Sequence, residues 1–166
     1  DTIVHELCAL STYCGLWAKR EELHVFKAAA PDSNKRPDIS LINPFPGDNF
    51  MQQGHQHHNK LVLDFQKMTS PVPGSQTGVF SHMTTPASRQ VERAASKSFA
   101  GKNSKYKLLA NNNGISFLPI IFESTGRIET HAAKFLKRCA EHTAEVKKIK
   151  PGIVYGYMLN RLSSVT

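Results

Sequence analysis

Two aspartates, each attached to a short apolar run, have the residue type and placement best suited to chemistry in this chain. Asp38 opens the run 39–42, and Asp64 directly follows the run 61–63. If both runs form neighbouring strands, their carboxylates converge at one end of a sheet. Converging carboxylates make a hard oxygen site for a divalent cation such as Mg²⁺. The pattern therefore predicts a divalent-cation site built from these two residues.

The charge of the chain points to an anionic partner. The 166 residues carry a formal net charge of +8, and the basic residues concentrate in 89–107 and 127–150. An excess of this size favours a polyanion as partner, although a solvated helix face explains a basic stretch equally well. The length and the 40% apolar content predict one globular domain over 1–166. No apolar run is long enough for a membrane span, so no membrane partner is expected.

The cysteines and the first residue give information about context. Cys8, Cys14 and Cys139 are unevenly spaced and form no CxxC pair, which favours buried thiols in a reducing compartment. The chain begins with Asp1 and shows no signal peptide. We expect it to be a segment of a longer polypeptide.

The secondary-structure pattern predicts an α/β fold. A helix is expected from Thr2 to about Ala18, because apolar residues as far as Trp17 recur at three- and four-residue steps. A helix over 87–100 is expected to resume after Gly101 and to reach Leu109 or Ala110. The other elements are strands over 23–28, 35–42, 60–66 and 115–123 and helices over 129–148 and 154–163. This order predicts a central mixed sheet of about four to five strands flanked by helices.

The order of these elements and several short motifs resemble the PD-(D/E)XK nuclease superfamily. Within it, the chain is most similar to the restriction-like endonuclease domain of site-specific non-LTR retrotransposons. The resemblance covers residues 2–163. Its motifs are Arg36-Pro37-Asp38, Val62-Leu63-Asp64, Lys102-Asn103-Ser104-Lys105-Tyr106, the run 118–126 and the closing run 159–163. What the resemblance implies is a restriction-endonuclease-like α/β/α core.

One position departs from the superfamily pattern. The motif of an acid, any residue and a lysine reads Asp64-Phe65-Gln66 here, and Lys67 should point to the other face of the strand. The retrotransposon domains supply the lysine from a helix instead. That arrangement implies a role for Lys102 and Lys105.

The resemblance and the requirements of phosphodiester hydrolysis suggest roles for five residues. Asp38, Asp64 and the carbonyl of Phe65 are expected to bind Mg²⁺, with Mn²⁺ as a substitute. Lys105 is the candidate that orients the attacking water and stabilises charge on the phosphate. Lys102 shares that role or holds the scissile phosphate. Two surface lysines on an exposed helix are the alternative.

Further residues have weaker assignments. Gln66 either hydrogen-bonds the phosphate or water or fills space, and Glu6 either binds a second ion or faces solvent. The residues expected to contact nucleic acid are Arg36, Arg89, Arg93, Lys97, Tyr106 and Lys107. The run His55-Gln56-His57-His58 has no accompanying cysteine and is not expected to bind zinc. It is predicted to be a solvated loop, or a loop that contacts the DNA backbone.

Taken together, the resemblance implies a metal-dependent DNA endonuclease domain acting in the nucleus. It would nick target DNA and leave a 3′-hydroxyl for a reverse transcriptase domain of the same polyprotein. Two alternatives remain open: a nuclease-fold module that binds nucleic acid without cutting, and a dimeric nuclease that resolves DNA junctions. The sequence leaves the oligomeric state undecided.

Overall fold

The computed structural model describes residues 2–22, 25, 37–46, 52–53, 56–68, 87–123 and 126–165, with 52–53, 56–57 and 87–94 described by backbone alone. These residues form α1 (Thr2–Tyr13), β1 (Trp17–Arg20), β2 (Ile39–Ile42), β3 (Gln52–Gln53), β4 (Gln56–His57), β5 (Lys60–Met68), α2 (Ala87–Asn112), β6 (Ser116–Glu123), α3 (Thr130–Lys147) and α4 (Pro151–Ser163).

Four strands form a mixed sheet in the order β1-β2-β5-β6. The β1–β2 and β2–β5 pairs are antiparallel, while β5 and β6 are parallel. Helix α2 connects β5 to β6, as a parallel pair requires. The remaining strands, β3 and β4, form a separate antiparallel pair. The predicted α/β fold with a central mixed sheet is confirmed, with four strands in the sheet.

The side chains of β5 alternate between two cores. Leu61 and Leu63 belong to a large core shared with α1, α3 and α4, whereas Val62 belongs to a smaller core with residues of α2. This alternation is the two-residue period of a strand that is covered on both faces. Helix α2 therefore covers one face of the sheet, and the other three helices cover the opposite face.

Helix α1 is shorter than the sequence pattern predicts. It ends at Tyr13, and Gly15 adopts a φ of +77°, a left-handed conformation that L side chains rarely adopt. Trp17, predicted to extend the apolar stripe of the helix, instead begins β1 and is 65% exposed. The strand predicted over 23–28 lies outside the described residues except for Val25, which is in a turn.

The later elements follow their local signals more closely. Helix α2 passes through Gly101 without a break and ends at Asn112, two to three residues beyond the predicted end, and Gly114 follows it with a φ of +65°. Helix α4 begins at Pro151, three residues before the predicted start at residue 154. Proline fits the first helical position because that position needs no N–H donor.

The ends of α3 and the placement of Pro119 also have clear physical causes. The Glu129 carboxylate caps α3 by accepting hydrogen bonds from two amides of its first turn. Pro119 lies in β6, an edge strand of the sheet, where an unpaired side tolerates the missing N–H. No helix among the described residues is long and apolar enough to cross a bilayer.

Candidate active site

The pairing of β2 with β5 brings Asp38 and Asp64 together. Ile39 pairs with Leu63, so one further step along the antiparallel ladder sets Asp38 opposite Asp64. Residues opposite each other in such a pair point to the same face, with Cβ atoms about 4.5–5.5 Å apart. Both carboxylates therefore lie on the face that α2 covers.

Pro37 opens a place for a third oxygen ligand. In the same register Pro37 lies opposite Phe65, and proline has no N–H to donate to the Phe65 carbonyl. The Phe65 N–H instead donates to Asp38 Oδ2 at 2.6 Å. Because the N–H and C=O of one strand residue face the same neighbour, the Phe65 carbonyl is directed to the edge where Asp38 lies. The Pro-Asp pair thus leaves this carbonyl without a ladder donor from β2.

The environment of Asp38 disfavours its charged form. Burial raises the pKa of the Asp38 carboxyl above its ordinary value, and the nearby Asp64 carboxylate raises it further. The hydrogen bond from the Phe65 N–H and the charge of Lys102 oppose this rise without cancelling it. A cation between the two carboxylates would remove their mutual repulsion.

Lys102 is the lysine that reaches the carboxylates. Its Nζ forms an ion pair and hydrogen bond with Asp64 Oδ2, and each of the two side chains is 21% exposed. Lys105 is exposed, and its Nζ lies 5.1 Å from the centroid of the Tyr106 ring. Three residues correspond to about 60° of rotation around the helix, so Lys105 lies beside the stripe that faces the sheet. Lys102, and not Lys105, the lysine expected to orient the attacking water, therefore contacts a carboxylate of the site in this structure.

Helix α2 and strand β5 are matched in their spacing. Ser98 Oγ donates to Gln66 Oε1 at 2.8 Å, Lys102 pairs with Asp64, and Tyr106 packs in the small core with Val62. Four helical residues rise about 6.0 Å and two strand residues span about 6.6 Å. Each turn of α2 therefore meets the next residue on this face of β5.

Ser98 is a site residue that the sequence analysis missed. Its hydrogen bond occupies Gln66 Oε1 and leaves the Gln66 amide nitrogen as the donor for any ligand. Ser98 lies one helical turn before Lys102, and Gln66 lies two strand residues after Asp64. This matched spacing is the sequence signal that could have paired Ser98 with Gln66.

Glu6 has a different environment from either predicted one. It is 7% exposed, and its two carboxylate oxygens accept hydrogen bonds from Arg161 Nε and Nη2 at 2.7 and 3.0 Å. The expectation of a solvent-facing Glu6 is therefore wrong, because Arg161 of the closing run covers it. Within the described part of the chain, no three His, Cys, Asp or Glu residues gather as a metal-binding group, so Glu6 does not join Asp38 and Asp64.

The histidine run is only partly described. His58 is buried, with its Nδ1 3.1 Å from Ser116 Oγ, so the expected solvated position is wrong for this residue. The reason is its place at the entry to β5, beneath the start of β6. His55 and the side chain of His57 lie outside the described residues.

The predicted nucleic-acid contacts are distributed around α2. Lys97 and Lys107 are exposed, and each lies five residues from Lys102, about 140° around the helix. They therefore face away from the carboxylates. Tyr106 is half-buried against Phe117, with ring centroids 5.3 Å apart. Arg36 and the side chains of Arg89 and Arg93 lie outside the described residues.

Comparison of the chain with protein-family models, with curated proteins and with solved structures gave no match. The resemblance to retrotransposon nuclease domains therefore depends on the motifs quoted above.

The Glu6–Arg161 pair yields a prediction that separates a structural from a metal-binding role. We expect Glu6→Gln and Arg161→Met each to lower Tm, because each breaks a bidentate pair between α1 and α4. Because both single variants lose the same interaction, the double variant should lose less stability than the sum of the two single losses. A double-mutant cycle in thermal unfolding measures this difference. If Glu6→Gln kept the wild-type Tm but lost its response to Mn²⁺, Glu6 would be a metal ligand instead.

The raised pKa of Asp38 predicts that this residue lowers the folding stability by an amount that depends on pH. Because folding favours its neutral form, stability is lost as pH rises from the unfolded value, about 3.9, through the higher folded value. We expect Asp38→Asn to be more stable than wild type at pH 7 and equal to it at acidic pH below that window. Urea unfolding at several pH values measures this difference. Glu145→Gln, at an exposed position on α3, is the control, and an equal gain in that variant would contradict the assignment.

Proposed function

We propose that this chain is a Mg²⁺-dependent endonuclease domain that nicks one strand of DNA and leaves a 3′-hydroxyl. The observation that carries the proposal is the pair of carboxylates on one sheet face with the Lys102 ammonium beside them. Two acids alone also occur in structural ion pairs. Here the Phe65 carbonyl, directed toward Asp38, adds a third oxygen that a cation could bind. The raised pKa of Asp38 shows that its negative charge is unfavourable, and a bound cation would compensate for that charge.

The donor set fits a hard divalent cation. Asp38, Asp64 and the Phe65 carbonyl offer only oxygen atoms, which is the preference of Mg²⁺ and Mn²⁺. When bound, the metal ion supplies an activated water and polarises a phosphate oxygen. These three protein oxygens would hold the ion, and water and a phosphate oxygen would complete its ligands.

The protein side chains supply the rest of the electrostatics. The Lys102 ammonium, paired with Asp64, lies where it would neutralise charge that develops on a bound phosphate. The Gln66 amide nitrogen, oriented by Ser98, would donate to a phosphate oxygen. Lys105, exposed beside this stripe, would reach a neighbouring phosphate or the attacking water.

The wider role follows from the resemblance. A nick that leaves a 3′-hydroxyl gives a primer to an attached reverse transcriptase domain. We therefore propose that the chain acts within a longer polyprotein, on nuclear DNA, in target-primed reverse transcription.

A second candidate function is a nucleic-acid-binding module that does not cut. It is favoured by the internal pairing of the site, since Asp64 is already bonded to Lys102 and Gln66 to Ser98. A site whose polar groups satisfy one another needs no ligand for its stability.

Nicking of supercoiled plasmid separates the two candidates. In Mg²⁺ or Mn²⁺ we expect wild type to produce open circles, and Asp64→Asn and Lys102→Met to lower the initial rate about 100-fold or more. Lys150→Met, an exposed lysine between α3 and α4, should nick at the wild-type rate. Gel electrophoresis over time measures the rates, and fluorescence anisotropy with labelled DNA checks that the variants still bind.

Two results would contradict the nuclease proposal. Wild type that binds DNA but produces no open circles in either metal would leave the binding module as the better reading. Nicking that survives in Asp64→Asn would point to a contaminating nuclease or to another site.

The ion pair at Asp64 also predicts how the site binds metal without DNA. Lys102 and a divalent cation compete for the same carboxylate, so Lys102→Met should bind Mn²⁺ more tightly than wild type while losing nicking. Titration of Tm against Mn²⁺ measures the midpoint, with Lys150→Met as the charge-matched control. If the midpoint Mn²⁺ concentration of Lys102→Met were equal to or higher than that of wild type, the cation would not bind through Asp64.

A further inference from the structure

A cavity of about 560 Å³ lies beyond the carboxyl end of β6, and neither the motifs nor the proposed reaction accounts for it. Residues from α2, from the segment after β6, from α3 and from α4 form its walls. Its polar lining includes Ser96, Glu123, Arg127, Glu129, Thr130, Lys134 and Lys137. We call it the β6–α3 cavity.

The exposed and the buried residues that line the β6–α3 cavity differ in charge. Its cations, Arg127, Lys134 and Lys137, are all exposed, and the hydroxyl-bearing residues Ser96 and Thr130 are exposed as well. Every exposed polar lining residue thus carries hydrogen-bond donors. A molecule that enters from solvent meets donors and positive charge first.

The two carboxylates of the cavity are buried beneath this rim. Glu123 is 2% exposed and Glu129 is 7% exposed. Glu129 accepts hydrogen bonds from the amides of His131 and Ala132 and lies 2.8 Å from His131 Nδ1. Its charge is therefore compensated within α3. These same bonds use the first amides of the helix, so side-chain cations and not the helix end would bind an anion here.

Lys134 and Lys137 are placed to act together. They lie three residues apart on α3, so their side chains share one side of the helix. Two ammonium groups on one side, with hydroxyl donors beside them, match the tetrahedral oxygens of a phosphate group.

Strand β5 and helix α2, which carry Asp64 and Lys102, both extend to the β6–α3 cavity. Glu123 pairs with Met68, four residues beyond Asp64 on β5, a separation of about 13 Å along the strand. On α2, Ser96 precedes Lys102 by six residues, or about 9 Å. Measured along the axis of a duplex, these separations correspond to about three to four base-pair steps of 3.4 Å.

We propose that the β6–α3 cavity binds a backbone phosphate of the DNA a few nucleotides from the scissile phosphate, through Lys134 and Lys137. This inference rests on the proposed function, because it assumes that DNA crosses the face of Asp38 and Asp64 and passes the edge strand β6 to reach α3, which covers the opposite face. The contact gives affinity and fixes the register of the strand without reading its bases.

The test is DNA binding without catalysis. Anisotropy of a short labelled duplex is measured in EDTA over a series of KCl concentrations, for wild type and for Lys134→Gln with Lys137→Gln. Each lost phosphate contact should lower the slope of log affinity against log salt by about 0.9. The control pair, Lys148→Gln with Lys150→Gln, removes the same charge from exposed positions after α3 and should change the slope much less.

Three further results decide the inference. Replacing both residues by arginine should restore the slope, since charge and donors return. Equal slopes for the two glutamine pairs would overturn the proposal, because only overall charge would then matter. Inorganic phosphate that raises the Tm of wild type but not of the Lys134/Lys137 pair, with DNA binding alike in both, would assign the cavity to a free phosphate and also overturn it.

The outcome is separable from that of the proposed function. Wild type that fails to nick plasmid in Mg²⁺ or Mn²⁺ would remove the nuclease proposal, while the salt slopes would still decide whether the cavity contacts DNA. Conversely, nicking with unchanged slopes would keep the nuclease proposal and discard the phosphate contact.

Discussion

The register of β2 against β5 is the constraint on which the candidate site depends. A slip by one residue would move one aspartate to the opposite face of the sheet and would pair Phe65 with Asp38 instead of Pro37. Two like charges opposite each other do not favour this register by themselves. It is held by the apolar alternation, which buries Leu61 and Leu63 in the large core. The stability of the core therefore keeps the carboxylates together against their repulsion.

A second constraint is the path of α2. A parallel β5–β6 pair requires a crossover, and this crossover lays α2 over the face that carries Asp64. Once the helix lies there, its pitch matches the strand, and a lysine at position 102 reaches the acid without any lysine at position 66. The Gln66 departure from the superfamily pattern thus has a geometric counterpart in the helix. In the opposite layer, the Glu6–Arg161 pair joins α1 to α4.

The parts of the fold that follow from local signals were predictable. The acid-bearing strands, the stop of α2 near Gly114 and the start of α3 at Glu129 each depend on neighbouring residues. The end of α1 was missed because the apolar spacing continues through Trp17, whereas the left-handed conformation of Gly15 ends the helix.

The partners of the site residues were harder to predict. The contact of Glu6 with Arg161 joins residues 155 positions apart, and no local pattern encodes it. The choice between Lys102 and Lys105 likewise depends on the rotation of α2 about its axis, which is fixed by packing against Val62 and Phe117. The resemblance implies that a lysine comes from the helix, but the tertiary packing decides which one contacts Asp64.

The balance of charges at the site links its two proposed ligands. Asp38, Asp64 and Lys102 together carry one net negative charge when all are ionised, and such a site repels a phosphate. In the proposed reaction a divalent cation would reverse that sign to one net positive charge and would compete with Lys102 for Asp64, so that the ammonium could bind the incoming phosphate. In the proposed reaction, metal and DNA therefore bind cooperatively at this face, since each removes a charge that opposes the other. Basic residues away from the carboxylates, such as Lys134 and Lys137, do not carry this dependence and would hold DNA with or without the metal.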